Sequence, residues 1–192
     1  PAAAAPREQG RDPPVLSGPT AISVAAQCAT LGERAVAVFG RIDVLFNSAY
    51  APGAVDPIES AVLDGWRRAM NVNFFGTMQL TQACVPGMKA AGGGAIVMIA
   101  TMVEHKPLAT QGGYGASKSA LRSATKHLAL ELGQYNIRVN SAHMGWMWGP
   151  AVEGYFAWQA QDTGRTIEEL KAEVTRNIPL AVIPDDGECA KA

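Results

Sequence analysis

From residue 23 to 39, apolar positions recur at helical spacing: Val24, Cys28, Leu31, Ala35 and Val38 share a face, and Gly40 marks the stop. Residues 42–46 (IDVLF) form a short apolar run that reads as a buried strand. A loop containing Pro57 leads into a long helical stretch from about residue 61 to 90, closed by the triplet Gly92, Gly93 and Gly94. Residues 95–100 (AIVMIA) are a second unbroken apolar run, again read as a buried strand. The period predicts a further helix over 114–132, with Ala116, Ala120, Leu121, Ala124, Leu128 and Leu132 on one face and Gly133 as its stop. Residues 137–142 (IRVNSA) are a third strand, and Asp185 and Asp186 open a short helix.

Buried strands alternating with helices predict βαβ units: an α/β fold whose parallel sheet carries helices on both faces. In such sheets ligands bind beyond the carboxyl ends of the strands. That directs attention to residues 47–50, 101–107 and 143–149, each directly after a strand. Residues 1–14 are rich in Ala and Pro and have no period, and there is no internal repeat.

Composition narrows the choice of function. The 192 residues, 48% of them hydrophobic, suffice for a single domain with a sizeable core. A formal charge of −1 argues against a basic nucleic-acid binder. The longest apolar stretches fall short of the ~20 residues a membrane helix needs. No basic segment leads into an apolar run at the start, so a soluble, cytoplasmic protein without a signal peptide is expected. Cys28, Cys84 and Cys189 lie far apart with no CxxC pair, which argues against a disulfide framework. No metal-ligand spacing is present, so no metal is expected; His105 and His143 read as ordinary loop residues.

Chemistry concentrates in YGASK, where Tyr114 and Lys118 stand four apart on one helix face. A tyrosine titrates near pH 10, too high for a good acid/base at neutrality, and a nearby ammonium is expected to lower that value. Thr101 ends a strand and offers a hydroxyl to a substrate oxygen. Asn73, in NVNFFG, is a polar amide in an apolar helix and needs partners. Asn47 follows a strand, where its amide can tie neighbouring loops.

In order and spacing, FGRIDVLFNSA, NVNFFG, IVMIAT, YGASK and IRVNSAHMGW resemble the short-chain dehydrogenase/reductase family from about residue 20 to the end. The resemblance implies a Rossmann-like doubly wound sheet and hydride transfer between NAD or NADP and an alcohol or ketone. It makes Tyr114 the general acid/base and Lys118 the group that lowers its pKa and binds the nicotinamide ribose. Thr101 takes the place of the family's serine, and Asn73 fits the asparagine of a water-linked proton relay. Asn47, Ser48 and Ala49 match the start of a cofactor-side NNAG segment. Met144 and Gly145 match a proline-glycine pair, and Met147 would lie against the nicotinamide. The long helices at 61–90 and 114–132 resemble those of the family's dimer and tetramer interfaces. Residues 146–182, with Trp146, Trp148, Tyr155, Phe156 and Trp158, read either as a packed helical pair or as an apolar lid over a hydrophobic substrate.

The departures are specific. Tyr50 replaces a glycine and crowds its loop, Thr101 adds a methyl that stiffens χ1, and Ala21 replaces an aspartate that contacts adenine. The TGxxxGxG turn, which lets backbone N–H groups meet the pyrophosphate, is not in the sequence. Gly92 to Gly94 cannot stand in for it, because that triplet precedes a strand. The expectation is a single Rossmann-type domain truncated at both ends, without the first βαβ unit and the last strand. Two alternatives to the dehydrogenase are a non-catalytic relative that holds no dinucleotide and a halohydrin-dehalogenase-like lyase. The lyases carry arginine where this chain has Lys118.

Overall fold

A computed structural model describes residues 15–191, which form two compact units, one ending at His143 and the other beginning at Met144. Expectations for residues 1–14 lie outside the described residues. In the first unit, α1 (Ala25–Phe39) ends as its sequence suggests. Gly40 adopts φ 79° and its N–H returns to the Val36 carbonyl at 2.8 Å. Strand β1 (Val44–Asn47) follows. The long helix is continuous but not uniform. It runs as α2 (Leu63–Met70), a π-helical turn (Asn71–Gly76) and α3 (Thr77–Ala90).

The glycine triplet is a tight turn into β2 (Gly94–Thr101). Gly93 has φ 139°, and a Cβ there would lie 2.5 Å from the Asn136 carbonyl oxygen, so only glycine fits. Helix α4 (Gly112–Leu132) leads to β3 (Ile137–Met144). The α-helix stops at Gly133 as expected, the residue that forms its C-cap. A 3₁₀ turn carries the chain to Asn136, which takes the left-handed conformation at φ 58° because its short polar side chain tolerates it.

The strands lie in the order β1-β2-β3, with β1 and β2 parallel. Leu45, Ile96, Met98, Ile137 and Val139 pack against Cys84 and Met88 of α3 and Leu121 and Leu132 of α4. The opposite side of β1 is open: Val44 is 62% exposed and Phe46 58%. The expectation of a strand buried on both faces is therefore met on one face only. Apolar residues on both sides of a strand call for cover on both, and α3 and α4 supply it on one. Helix α2 meets α4 closely, because a Cβ on Gly113 would come within 2.7 Å of the Trp66 ring.

In the second unit, α5 (Pro150–Thr163) and α6 (Ile167–Thr175) pack together, and Asp185 caps a short α7 (Asp186–Cys189). Phe156 is fully buried, with Trp146, Trp148 and Tyr155 around it at ring separations of 5.6–5.9 Å. The aromatic segment is thus a packed helical pair with its own small core.

Candidate active site

The end of β2 and the first two turns of α4 bring Thr101, Tyr114 and Lys118 together. Thr101 is the N-cap of a 3₁₀ turn spanning Met102–Glu104, and its side chain takes part in a capping box. Its hydroxyl oxygen accepts from the Val103 N–H, and its own N–H donates to Glu104 Oε1, both at 3.3 Å. The threonine is buried and fixed in place. Tyr114 stands against it, with the Tyr50 ring edge-on at 6.3 Å between centroids. Tyr50, the departure from the family pattern, therefore forms part of the wall beside Tyr114.

Lys118 is 2% exposed, and its Nζ donates to the Ile99 carbonyl at 2.6 Å. Burial lowers its pKa to about 8, with the nearby Glu104 charge opposing the fall. Tyr114 moves the other way. Burial holds it above its ordinary value, Tyr50 and Glu104 add to the rise, and the hydrogen bond with Thr101 opposes it. The expected lowering of Tyr114 by Lys118 is not what this geometry produces. The ammonium is turned onto the Ile99 carbonyl, and a buried carboxylate stands nearby.

Asn73 occupies the π-helical turn and is fully buried. Its Oδ1 accepts from the Ala51 N–H at 2.6 Å, and its Nδ2 donates to the Ala51 carbonyl at 2.8 Å and to Ser117 Oγ at 2.9 Å. Ser117 Oγ in turn donates to the Tyr114 carbonyl at 2.7 Å. Both amide donors are used, so the side chain ties the loop after β1 to the turn of α4 that carries Tyr114 and Lys118.

Asn47 lies elsewhere. Its Nδ2 donates to Thr81 Oγ1 at 3.3 Å and to Met98 Sδ at 3.2 Å, beneath the sheet. It does not tie loops as expected, because the alternation of the strand puts it on the same side as Leu45. Ser48 and Ala49 are exposed beyond the strand end. Met144, Gly145 and Met147 belong to the second unit.

The sequence reading missed Glu104, whose side chain is fully buried and whose Oε2 lies 2.9 Å from Arg122 Nε. A signal was available: Thr101 to Glu104 reads T-x-x-E, the capping-box pattern.

Residues 2–160 match the family model for short chain dehydrogenases. The chain belongs to the short chain dehydrogenase family. It is 37% identical over 120 residues to cyclohexanol dehydrogenase of Acinetobacter sp. (strain SE19), a match covering 62% of this chain and 48% of that one. It is 36% identical over 148 residues to 3-alpha-(or 20-beta)-hydroxysteroid dehydrogenase of Mycobacterium bovis, covering 77% and 55%. Among solved short chain dehydrogenases, NAD⁺-bound xylitol dehydrogenase superposes with a TM-score of 0.80 at 27% identity, covering 86% of this chain and 66% of that one. The sorbitol-6-phosphate 2-dehydrogenase of Erwinia amylovora gives 0.83 at 25%, covering 90% and 68%. The fold is thus the family's Rossmann-like parallel sheet. The chain spans about half the length of the curated relatives it matches.

Proposed function

We propose that this chain carries the proton-transfer half of an NAD(P)-dependent alcohol or ketone oxidoreductase site. The observation behind this reading is that buried Thr101 and Lys118 flank the half-buried Tyr114 on one strand end and one helix. A Lys ammonium has three donors, and Ile99 is the single acceptor recorded for Lys118 among the described residues. Its spare donors fit a ribose hydroxyl, so the nicotinamide end of a dinucleotide suits the residues present. When bound, the nicotinamide supplies the hydride acceptor or donor. Ser48, Ala49, Met144, Gly145 and Met147 are the remaining residues we assign to that side, by resemblance. Asn47 contributes beneath the strand rather than by contact.

The rest of the chemistry falls to the protein. Thr101 holds the substrate oxygen through its hydroxyl. Tyr114 Oη takes the proton from an alcohol, or returns it to a carbonyl oxygen, as hydride moves. Lys118 serves this chemistry by holding the ribose beside Tyr114, whose pKa burial keeps above its ordinary value. The side-chain donors of Asn73 are taken by Ala51 and Ser117, so a relay role falls to its backbone carbonyl, which accepts from Thr77 Oγ1 at 3.0 Å and has a second lone pair for water. The names of similar proteins (cyclohexanol and hydroxysteroid dehydrogenases) fit a hydrophobic alcohol as substrate.

We further infer a homodimer or homotetramer built on α2–α3 and α4, where Leu63, Phe75 and Leu130 are exposed. A cytoplasmic setting fits three free cysteines, and none of the described helices is long and apolar enough to cross a membrane.

The test combines binding with turnover. Calorimetric titration with NADH and NADPH is expected to show binding of one of them. Tyr114→Phe is then expected to lower turnover at least ~10²-fold without changing that affinity. Binding of neither would support the alternative, a relative that holds no dinucleotide. Full activity in Tyr114→Phe would refute the assignment of the acid/base.

A further inference from the structure

We propose that Glu104, His105 and His143 form a site for a divalent transition-metal ion of the zinc class. Glu104 and His105 come from the turn after β2, and His143 from the end of β3. One ligand atom from each lies within 4.8 Å of the others. Glu104 Oε1 and His143 Nδ1 are 3.5 Å apart. Two ligands about 2.1 Å from a tetrahedral ion stand about 3.4 Å from each other, so this pair already has the spacing such an ion needs.

The groups behind the ligands hold them in the required orientation. Glu104 is fully buried at its side chain, and Arg122 Nε sits 2.9 Å from its Oε2. That contact is ionic but poorly aligned, so Oε2 has no hydrogen-bond partner among the described residues. It turns Oε1 toward His143. Ser141 Oγ lies 3.0 Å from His143 Nε2. With the ring proton on Nε2 donated to Ser141, the Nδ1 lone pair faces Glu104, the arrangement found in metal-bound imidazoles. The rings of His105 and His143 lie 5.3 Å apart, and both residues are exposed, so an ion can enter and keep water as a further ligand. One carboxylate with two imidazoles favours zinc, nickel or copper over magnesium or calcium, which prefer all-oxygen sets. The Arg122 charge keeps affinity below that of a closed structural site. Because Glu104 Oε1 also accepts from the Thr101 N–H, an ion held there stiffens the turn that positions the Thr101 hydroxyl.

Calorimetry of the tag-free chain with Zn²⁺ is expected to show one site. Co²⁺ in its place is expected to give a visible d–d spectrum without thiolate charge-transfer bands. His105→Ala, His143→Ala and Glu104→Gln should each weaken binding by more than about tenfold, and Ser141→Ala by about tenfold. His127→Ala and Cys189→Ser should leave it unchanged. His105 is exposed, so its variant retains the fold, which circular dichroism checks. No binding by the wild-type chain, undiminished binding by His105→Ala or Glu104→Gln, or a thiolate band with Co²⁺ would each overturn the site. None of these readings depends on hydride transfer.

Discussion

Lys118→Met should make the protein more stable and its proposed chemistry inoperative. The lysine is buried, and its pKa falls from the ordinary 10.5 to about 8 because burial disfavours the ammonium. At about 1.4 kcal/mol per pH unit, that fall corresponds to about 3 kcal/mol of folding free energy lost in keeping the charge. Methionine fills a similar volume without charge, while the Ile99 carbonyl loses its donor, a penalty of about 1 kcal/mol. The net expectation at pH 7 is a gain of about 2 kcal/mol. The unfolded wild-type chain holds the lysine proton up to about pH 10.5 and the folded chain only to about pH 8, so wild-type stability rises between those values. The variant's advantage is complete below pH 8 and shrinks across that window. By pH 9.5 the two chains should agree within about 1 kcal/mol. Urea unfolding of both at pH 7 and pH 9.5 measures this. A variant less stable than wild type at pH 7, or an advantage that does not shrink with pH, would refute the reasoning.

Asn73→Ala should lower stability by about 1–3 kcal/mol, since it strands Ala51 and Ser117. Hydrogen exchange should speed up at Ala51 while α1 is unaffected. Gly93→Ala should cost at least about 2 kcal/mol by thermal unfolding, because its Cβ meets the Asn136 backbone in a conformation reserved for glycine. In a native thiol titration with a disulfide reagent only Cys189 should react, because Cys28 and Cys84 are buried and burial pushes Cys84 up to about 11. Denaturant should release all three.

Periodicity carried the fold far. The strands at 42–46, 95–100 and 137–142 and the helices between them lie within a few residues of the observed elements. It could not show the open face of β1, because an apolar run looks the same whether one side is covered or two. Nor could it show the π-turn, which becomes visible only when Asn73 is paired with Ala51 and Ser117. Tyr114, Lys118 and Thr101 were legible because their spacing follows from one strand and one helix. The direction of the Tyr114 shift was not, since it depends on where Lys118 Nζ turns and on Glu104, groups set by tertiary packing. His105 and His143 meet only because β3 returns beside the turn after β2, a neighbourhood no local spacing records.

The π-turn at Asn71–Gly76 also works as a phase shifter. Such a turn inserts about one residue into an α-helix, and one residue is about 100° of rotation. Trp66, before it, faces Gly112 and Gly113 of α4, while Cys84 and Met88, after it, face the sheet. A uniform α-helix could not keep both faces in register. Removing a single residue between Asn71 and Gly76 would turn one of those two interfaces toward water, wherever in the segment the deletion fell. Along this stretch of the helix the length is fixed as firmly as the residues at Asn73 and Gly76, where a Cβ on the glycine would lie 2.8 Å from the Ile22 side chain.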